Sequence, residues 1–286
     1  MFIHRQLPSF DAVAAGGKAV NTIDPGIRVA AVHLEFGNAA AVANDIDDVI
    51  ETVAVKYNNK TQRHYPVASR LDQLNGLNDA GLLAKADGTA GQADRVHHLS
   101  IWFANPWRLT PAERIAPCWN LFAALQIEVK IKAGLAAPFI RGTFEYDGIP
   151  ANVREIGDIQ KVYSEDFGAS GTSRDIQTLA KRDRYESIHF FPTTDGKFVE
   201  RLKFTRNGQD LVEDITAKQN QVSLLNWGLN PDLSAVPRYD LVFDRSDNIL
   251  DGMLAEGVRE ITAKTTWNAA ANGTMPVLIQ RTGPAE

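Results

Sequence analysis

The sequence has a single cysteine, Cys118, in 286 residues. A disulfide framework within the chain is therefore excluded. Flanked by Pro117 and Trp119, the residue reads as a small buried hydrophobe, and the chain suits folding in a reducing compartment. Long apolar runs are also missing: no stretch reaches the ~18 residues that point to a membrane-spanning helix. Met1-Phe2-Ile3 meets His4-Arg5 at once, and the next apolar stretch is broken by Gly16-Gly17-Lys18, so no targeting segment is expected. Basic charge is in deficit, with 30 Lys and Arg against 35 Asp and Glu, a net charge of -5. Sequence-independent nucleic-acid binding needs a basic footprint. Direct contact with DNA or RNA is not expected, and Lys181-Arg182-Asp183-Arg184 reads as a solvated linker.

Catalytic signatures are equally scarce. The sequence holds no Gly-x-Ser-x-Gly elbow, phosphate loop or dinucleotide fingerprint, and Gly168-Ala169-Ser170-Gly171 is most simply a flexible turn. The histidines are His4, His33, His64, His97, His98 and His189. His97 and His98 are adjacent, so in a strand they point to opposite faces and cannot easily share a metal. Glu35, Glu128, Glu145 and Asp147 could supply paired carboxylates for glycoside hydrolysis, but their separation is invisible in sequence. Glu35 and Glu128 occupy polar positions of alternating segments, which places them by default on an outer sheet face. Asp45-Ile46-Asp47-Asp48 lacks the glycine and terminal glutamate of an EF-hand loop and reads as a solvated acidic loop. No residue is assigned a catalytic, cofactor-binding or metal-binding role. Structural calcium between subunits is the one ion left open.

What the sequence does have is alternation. Leu125-Gln126-Ile127-Glu128-Val129-Lys130-Ile131-Lys132 switches between apolar and polar at every step, placing four aliphatics on one face of a half-buried strand. Val32–Phe36, Val53–Tyr57, Leu202–Phe204 and Arg259–Thr265 follow the same rule. Asn58-Asn59 and Asn207-Gly208 supply hairpin turns, because Asn and Gly tolerate positive φ. Helical stripes are few: Val67, Leu71 and Leu74 give one over Ala68–Leu77. A second runs from Asp214 to Leu225 with Leu211, Ile215 and Val222 on its stripe, and a short third covers Asn248–Ala255. Residues Asn75–Asp94 read as a surface loop. Trp102, Trp107, Trp119, Trp227 and Trp267 each lie in or beside an apolar run, which favours core or subunit-contact packing over sugar binding.

The order repeats. Each half runs strand, strand, Asn-containing turn, short strand, helix, loop, strand, with Lys56 and Lys203 preceding the two turns. This predicts an all-β chain of two tandem jelly rolls, of roughly eight strands each, with short helices in loops. The expected domains are 1–140 and 184–286. They are joined by a Gly-, Ser- and Asp-containing stretch, 141–183, read as an extended surface connection.

The segment Leu7-Pro8-Ser9-Phe10-Asp11-Ala12-Val13-Ala14-Ala15-Gly16-Gly17, leading into Ile27–Phe36 and Val53–Tyr57, resembles the start of the corticovirus major capsid proteins. Ser69–Asn75 and Leu125–Lys132 fall where that family has a helix and the last strand of its first jelly roll. Arg184–Phe191, Val199–Phe204 and Arg259–Trp267 are similar to its second. The resemblance implies a structural coat protein of a tailless icosahedral bacteriophage with an internal membrane. The implied protein is no enzyme. It forms homotrimeric, pseudo-hexagonal capsomers, with a penton or spike protein, membrane proteins or lipid as further partners. It would be made in the host cytoplasm and reside in the virion. A carbohydrate- or receptor-binding β-sandwich such as a spike is the alternative, and a glycoside hydrolase the third reading.

Overall fold

The structure is a computed structural model that describes residues 3–23, 27–39, 45–78, 86–87, 95–105, 124–147, 158–245 and 252–284. Cys118, Trp107, Trp119 and most of the 75–94 loop lie outside these. The chain divides into two compact units, Met1–Lys161 with Pro284–Glu286, and Val162–Gly283.

The first unit contains β1 (Ile3–Gln6), β2 (Lys18–Ile23), β3 (Arg28–Asn38), β4 (Ile50–Tyr57), β5 (Lys60–Tyr65), α1 (Ala68–Asn78), β6 (Ala86–Asp87), β7 (Val96–Trp102), β8 (Leu125–Ile131), β9 (Pro138–Asp147) and the start of β10 (Ile159–Ile176). One sheet orders β1-β9-β3-β7-β6, and a second runs β10-β5-β4-β8-β2. In β8, Leu125, Ile127, Val129 and Ile131 are buried while Gln126, Glu128 and Lys130 are half-buried, as the period of two requires. Its register is pinned on both sides, with Val129 opposite Ala19 of β2 and Val53 of β4. The β4–β5 hairpin turns on Asn58 and Asn59, at φ 49° and 66°. Helix α1 points Ala68, Leu71, Leu74 and Leu77 inward. The Asp47 carboxylate anchors its start, accepting from Ser69 N–H at 2.9 Å and Ser69 O–H at 2.5 Å.

The second unit continues β10 and adds β11 (Arg184–Phe190), β12 (Val199–Arg206), β13 (Gln209–Thr216), α2 (Ala217–Asn226), β14 (Tyr239–Val242), β15 (Met253–Leu254) and β16 (Ile261–Gly283). The order β13-β12-β16-β10 forms one run. β11 pairs with β16 along one edge and with β14 and β15 along the other. β16 serves both arrangements: residues 261–267 pair with β12, and residues 277–282 pair with β11. Phe190, Leu202, Phe204, Trp267, Met275 and Ile279 are among the residues of the core that results. The β12–β13 turn is Asn207-Gly208, at φ 51° and 77°, the pairing a type I′ hairpin demands.

Three expectations are corrected. Leu211 and Ile215 belong to β13, not to a helix, because pairing with β12 (Leu202 opposite Ile215, Thr205 opposite Asp210) outweighs a weak helical stripe. The helix starts only after Thr216. The Thr216 side-chain oxygen accepts from Gln219 N–H at 3.1 Å, while the Gln219 side-chain Oε1 takes Thr216 N–H at 3.0 Å, a capping box. The third helix is not formed in its described part: Met253 and Leu254 pair with Tyr185 and Arg184, and Asn248–Asp251 lie outside the described residues. Finally, the stretch 141–183 carries most of β9 and all of β10, so much of it is sheet rather than loose connection. Gly142 lies in β9, where any Cβ would run into the His33 carbonyl oxygen of β3.

In each unit an Asn-containing hairpin is followed at once by a short helix, β4-β5-α1 and β12-β13-α2, with Lys56 and Lys203 just ahead of the turns. No helix among the described residues is long and apolar enough to cross a membrane.

Candidate functional site

The polar positions of β1, β3, β7 and β9 bring charged groups together on one face of the first sheet. His33 Nδ1 lies 2.8 Å from the Ser100 hydroxyl, and its Nε2 lies 3.2 Å from the Glu145 carboxylate. His4 Nε2 approaches the same carboxylate oxygen at 3.1 Å. Trp102 packs edge-on against His33, with ring centroids 5.5 Å apart. One pair along, Arg141 donates to Glu35 at 2.6 Å. His97 is buried and stacked on Phe36, whereas His98 faces outward and meets Asp87 at 2.9 Å, as adjacent residues of a strand must.

On the second sheet Glu128 lies between two lysines, at 2.6 Å from Lys56 and 3.2 Å from Lys18. The Lys56 hydrogen bond holds its carboxyl below the usual range, against the opposing effect of partial burial. Glu35, Glu128 and Glu145, the candidate hydrolytic carboxylates, are thus each tied to a cation or an imidazole. The side chain of Asp147 lies outside the described residues. Asp45–Asp48 is also committed internally: Asp47 holds Ser69, and Asp48 accepts Asp45 N–H at 3.1 Å. Among the described residues, no group of three or more His, Cys, Asp or Glu is placed to hold a metal.

The second unit buries a polar chain that sequence reasoning missed. Asp240 accepts from His189 Nδ1 at 2.7 Å and from Arg238 Nη2 at 3.0 Å. Burial pushes the Asp240 carboxyl up, but Arg238 and His189 outweigh it and hold the group at about 2. Ser187 Oγ lies 2.7 Å from His189 Nε2 and donates to the Gln280 side-chain oxygen Oε1 at 2.6 Å. The Ser187–His189–Asp240 chain has the connectivity of a hydrolase triad, yet these residues are sealed, at 3%, 0% and 1% exposure, and the serine proton is spent on Gln280. The signal lay in Ser187 and His189 two apart on one strand, beside an Arg-Tyr-Asp strand, but pairing of β11 with β14 is a long-range fact.

Among the described residues, two surface features stand out. An open cavity of about 660 Å³ is bordered by Arg5, Pro8, Ile23, Phe144 and Tyr146 among others. Elsewhere, Trp267 is buried and Trp102 half-buried, but Trp227 is 54% exposed. It stands near the end of α2, in a stretch where Val222, Leu225, Leu233 and Val236 are exposed as well. Charged side chains are nearly missing from that stretch.

Among the described residues, the groups that could carry chemistry are either sealed or tied to a cation or an imidazole. The family model described as "Viral coat protein P2 N-terminal domain" matches residues 4–147. No curated protein matches the sequence. Among solved structures, the major capsid protein P2 from bacteriophage PM2 is similar over 100% of this chain and 98% of its own, at TM-score 0.80 and 14% identity. The STIV major capsid protein is similar over 99% of this chain and 96% of its own, with TM-score 0.70 and 13% identity. A PBCV-1 virus capsid chain is similar over 99% and 93%, with TM-score 0.62 and 10% identity. At such identities these likenesses speak to the fold, a double jelly roll.

Proposed function

Because the chain belongs to the viral coat protein P2 family, we propose that it works as the homotrimeric major capsid protein of an icosahedral bacteriophage, tiling a shell around an internal membrane. A coat protein of this family resides in the virion. The observation that carries the reading is the family match over residues 4–147, joined to the repeat of hairpin and helix in both units. Two jelly rolls per chain give six in a trimer, a nearly hexagonal tile. A closed ring of subunits also covers sheet edges that a lone chain leaves open. β1 and β13 are such edges among the described residues, each with a neighbour on one side only and mostly exposed.

The same reading makes the chain a scaffold and not an enzyme. It is supported by the ties on Glu35, Glu128 and Glu145 and by the sealed Ser187–His189–Asp240 chain. The acidic balance fits a shell separated from the genome by a membrane, with no direct nucleic-acid contact. A penton or spike protein and membrane proteins or lipid are the further partners in this scheme, and any calcium would be shared between subunits.

Light scattering of purified protein at low micromolar concentration, with negative-stain microscopy of the same sample, tests the proposal. Trimers and larger regular assemblies are expected. A clean monomer at every concentration, or turnover of a glycoside, would overturn it.

A further inference from the structure

We infer that the charge-poor apolar face made by α2 and the segment after it, centred on Trp227, is a surface through which this chain meets further copies of itself. The inference rests on the coat-protein reading and adds to it the place of contact.

Exposure comes first. Eight large hydrophobic residues are exposed among the described ones, and five of them fall between 222 and 236: Val222, Leu225, Trp227, Leu233 and Val236, at 42–62%. Scattered exposed leucines are ordinary, but a concentration of this kind marks a contact surface. The face is also well built. α2 buries Ala217, Asn220 and Leu224 on its inner side, which turns Val222 and Leu225, three apart, outward. Gly228, at φ 80°, ends the helix, and Leu229 N–H returns to the Leu224 carbonyl at 3.0 Å. Gln221 Nε2 then donates to the Asp232 carbonyl at 2.7 Å, tying the following segment to the helix. These side chains point outward from a hydrogen-bonded element.

Charge identifies the occupant. Between Lys218 and Arg238 only Asp232 is charged, and its carboxylate is taken by the backbone N–H groups of Ser234 and Arg238, at 3.0 and 2.9 Å. Charged residues make up 23% of the chain as a whole. Depletion of charge around an aromatic anchor characterises the core of a subunit contact. Near a rotation axis each residue meets its own copies, so any charge there faces a like charge. From outside the stretch, Arg245 reaches Ser223 of α2, donating to its hydroxyl at 2.8 Å; for a chain of net charge -5, so charge-poor a face can be turned toward itself with little of that repulsion. Gln219, Asn226 and Asn230 provide polar groups for the rim.

The test replaces outward side chains, which leaves the core untouched. Trp227→Glu and Leu225→Glu are compared with wild type and with Leu254→Glu, a comparably exposed apolar site on β15. All are checked for unchanged far-UV circular dichroism, then measured by size exclusion with light scattering. Wild type and Leu254→Glu are expected to give the same multimer, while the two face variants associate roughly thirtyfold or more weakly. A multimer unchanged by both face variants would overturn the inference and leave the coat reading standing. A wild type that never self-associates overturns the coat reading, and the inference with it. Flotation with phosphatidylcholine vesicles, with and without phosphatidylglycerol, covers the remaining occupant: binding lost in Trp227→Glu with the multimer intact assigns the face to lipid and overturns the proposal. Should the variants misfold, hydrogen exchange on wild type decides, because residues 222–236 must gain protection between dilute protein and multimer.

Discussion

His189 Nδ1 and the Asp240 carboxylate lie 2.7 Å apart, and neither side chain has any exposure to solvent. With Arg238 they form a buried charge cluster whose parts are costly to separate. The folded Asp240 carboxyl, at about 2, lies below its ordinary 3.8. Its contribution is therefore complete above that ordinary value and is lost as pH falls through about 2. Urea unfolding between pH 5 and 2 should show wild type losing stability on the order of 2 kcal/mol from this group. Asp240→Asn, which removes the carboxylate that Arg238 and His189 share, should start about 3–5 kcal/mol lower and show a shallower fall in that window. Equal slopes for the two proteins would refute the assignment.

Ile127 is fully buried between two neighbouring strands, opposite Asn21 and Val55. Ile127→Asp should abolish soluble protein, since an unpaired buried charge costs several kcal/mol. Gln126→Asp, one step along and half-buried, should remain soluble. Comparable yields and midpoints for the two would mean that the register of β8 is wrong.

Gly142→Ala should destabilise the first unit by more than about 2 kcal/mol, in the range of overpacking by a methyl group against a backbone that cannot move aside. The obstacle is the His33 carbonyl across the β3–β9 pairing. A chemical-denaturation midpoint within error of wild type would show that the two strands stand further apart than described.

Asn207 combines a left-handed backbone with a carbonyl side chain that accepts Arg259 and Glu260 N–H at 2.8 and 3.1 Å. Asn207→Ala should therefore cost about 1–3 kcal/mol. Asn207→Gly, which keeps the turn conformation but loses the acceptor, should recover part of this. If Gly proves worse than Ala in thermal melts, the turn geometry is not the source of the effect.

Legibility in the sequence followed the range of the forces involved. The β8 alternation and the turns at Asn58-Asn59 and Asn207-Gly208 are local, and each was readable before any pairing was known. Leu211 and Ile215 were misread because a helical stripe and an edge strand look alike over so few residues, and only the pairing with β12 separates them. β9 and β10 were hidden because their glycines and serines suggest loop. Gly142 is there for close approach of a neighbouring strand, which no single segment records. The Trp227 face was visible only as apolar residues; that they point outward depends on which side of α2 the rest of its unit covers. The tandem fold was legible in the repeated order of strand, turn and helix, and the family resemblance agreed with it.

β16 runs unbroken from Ile261 to Gly283, paired with β12 along its first part and with β11 along its last. Pulled along its length, such a strand loads both rows of hydrogen bonds in shear, so they must yield together instead of unzipping in turn. The second unit should then fail under force as a single brittle event.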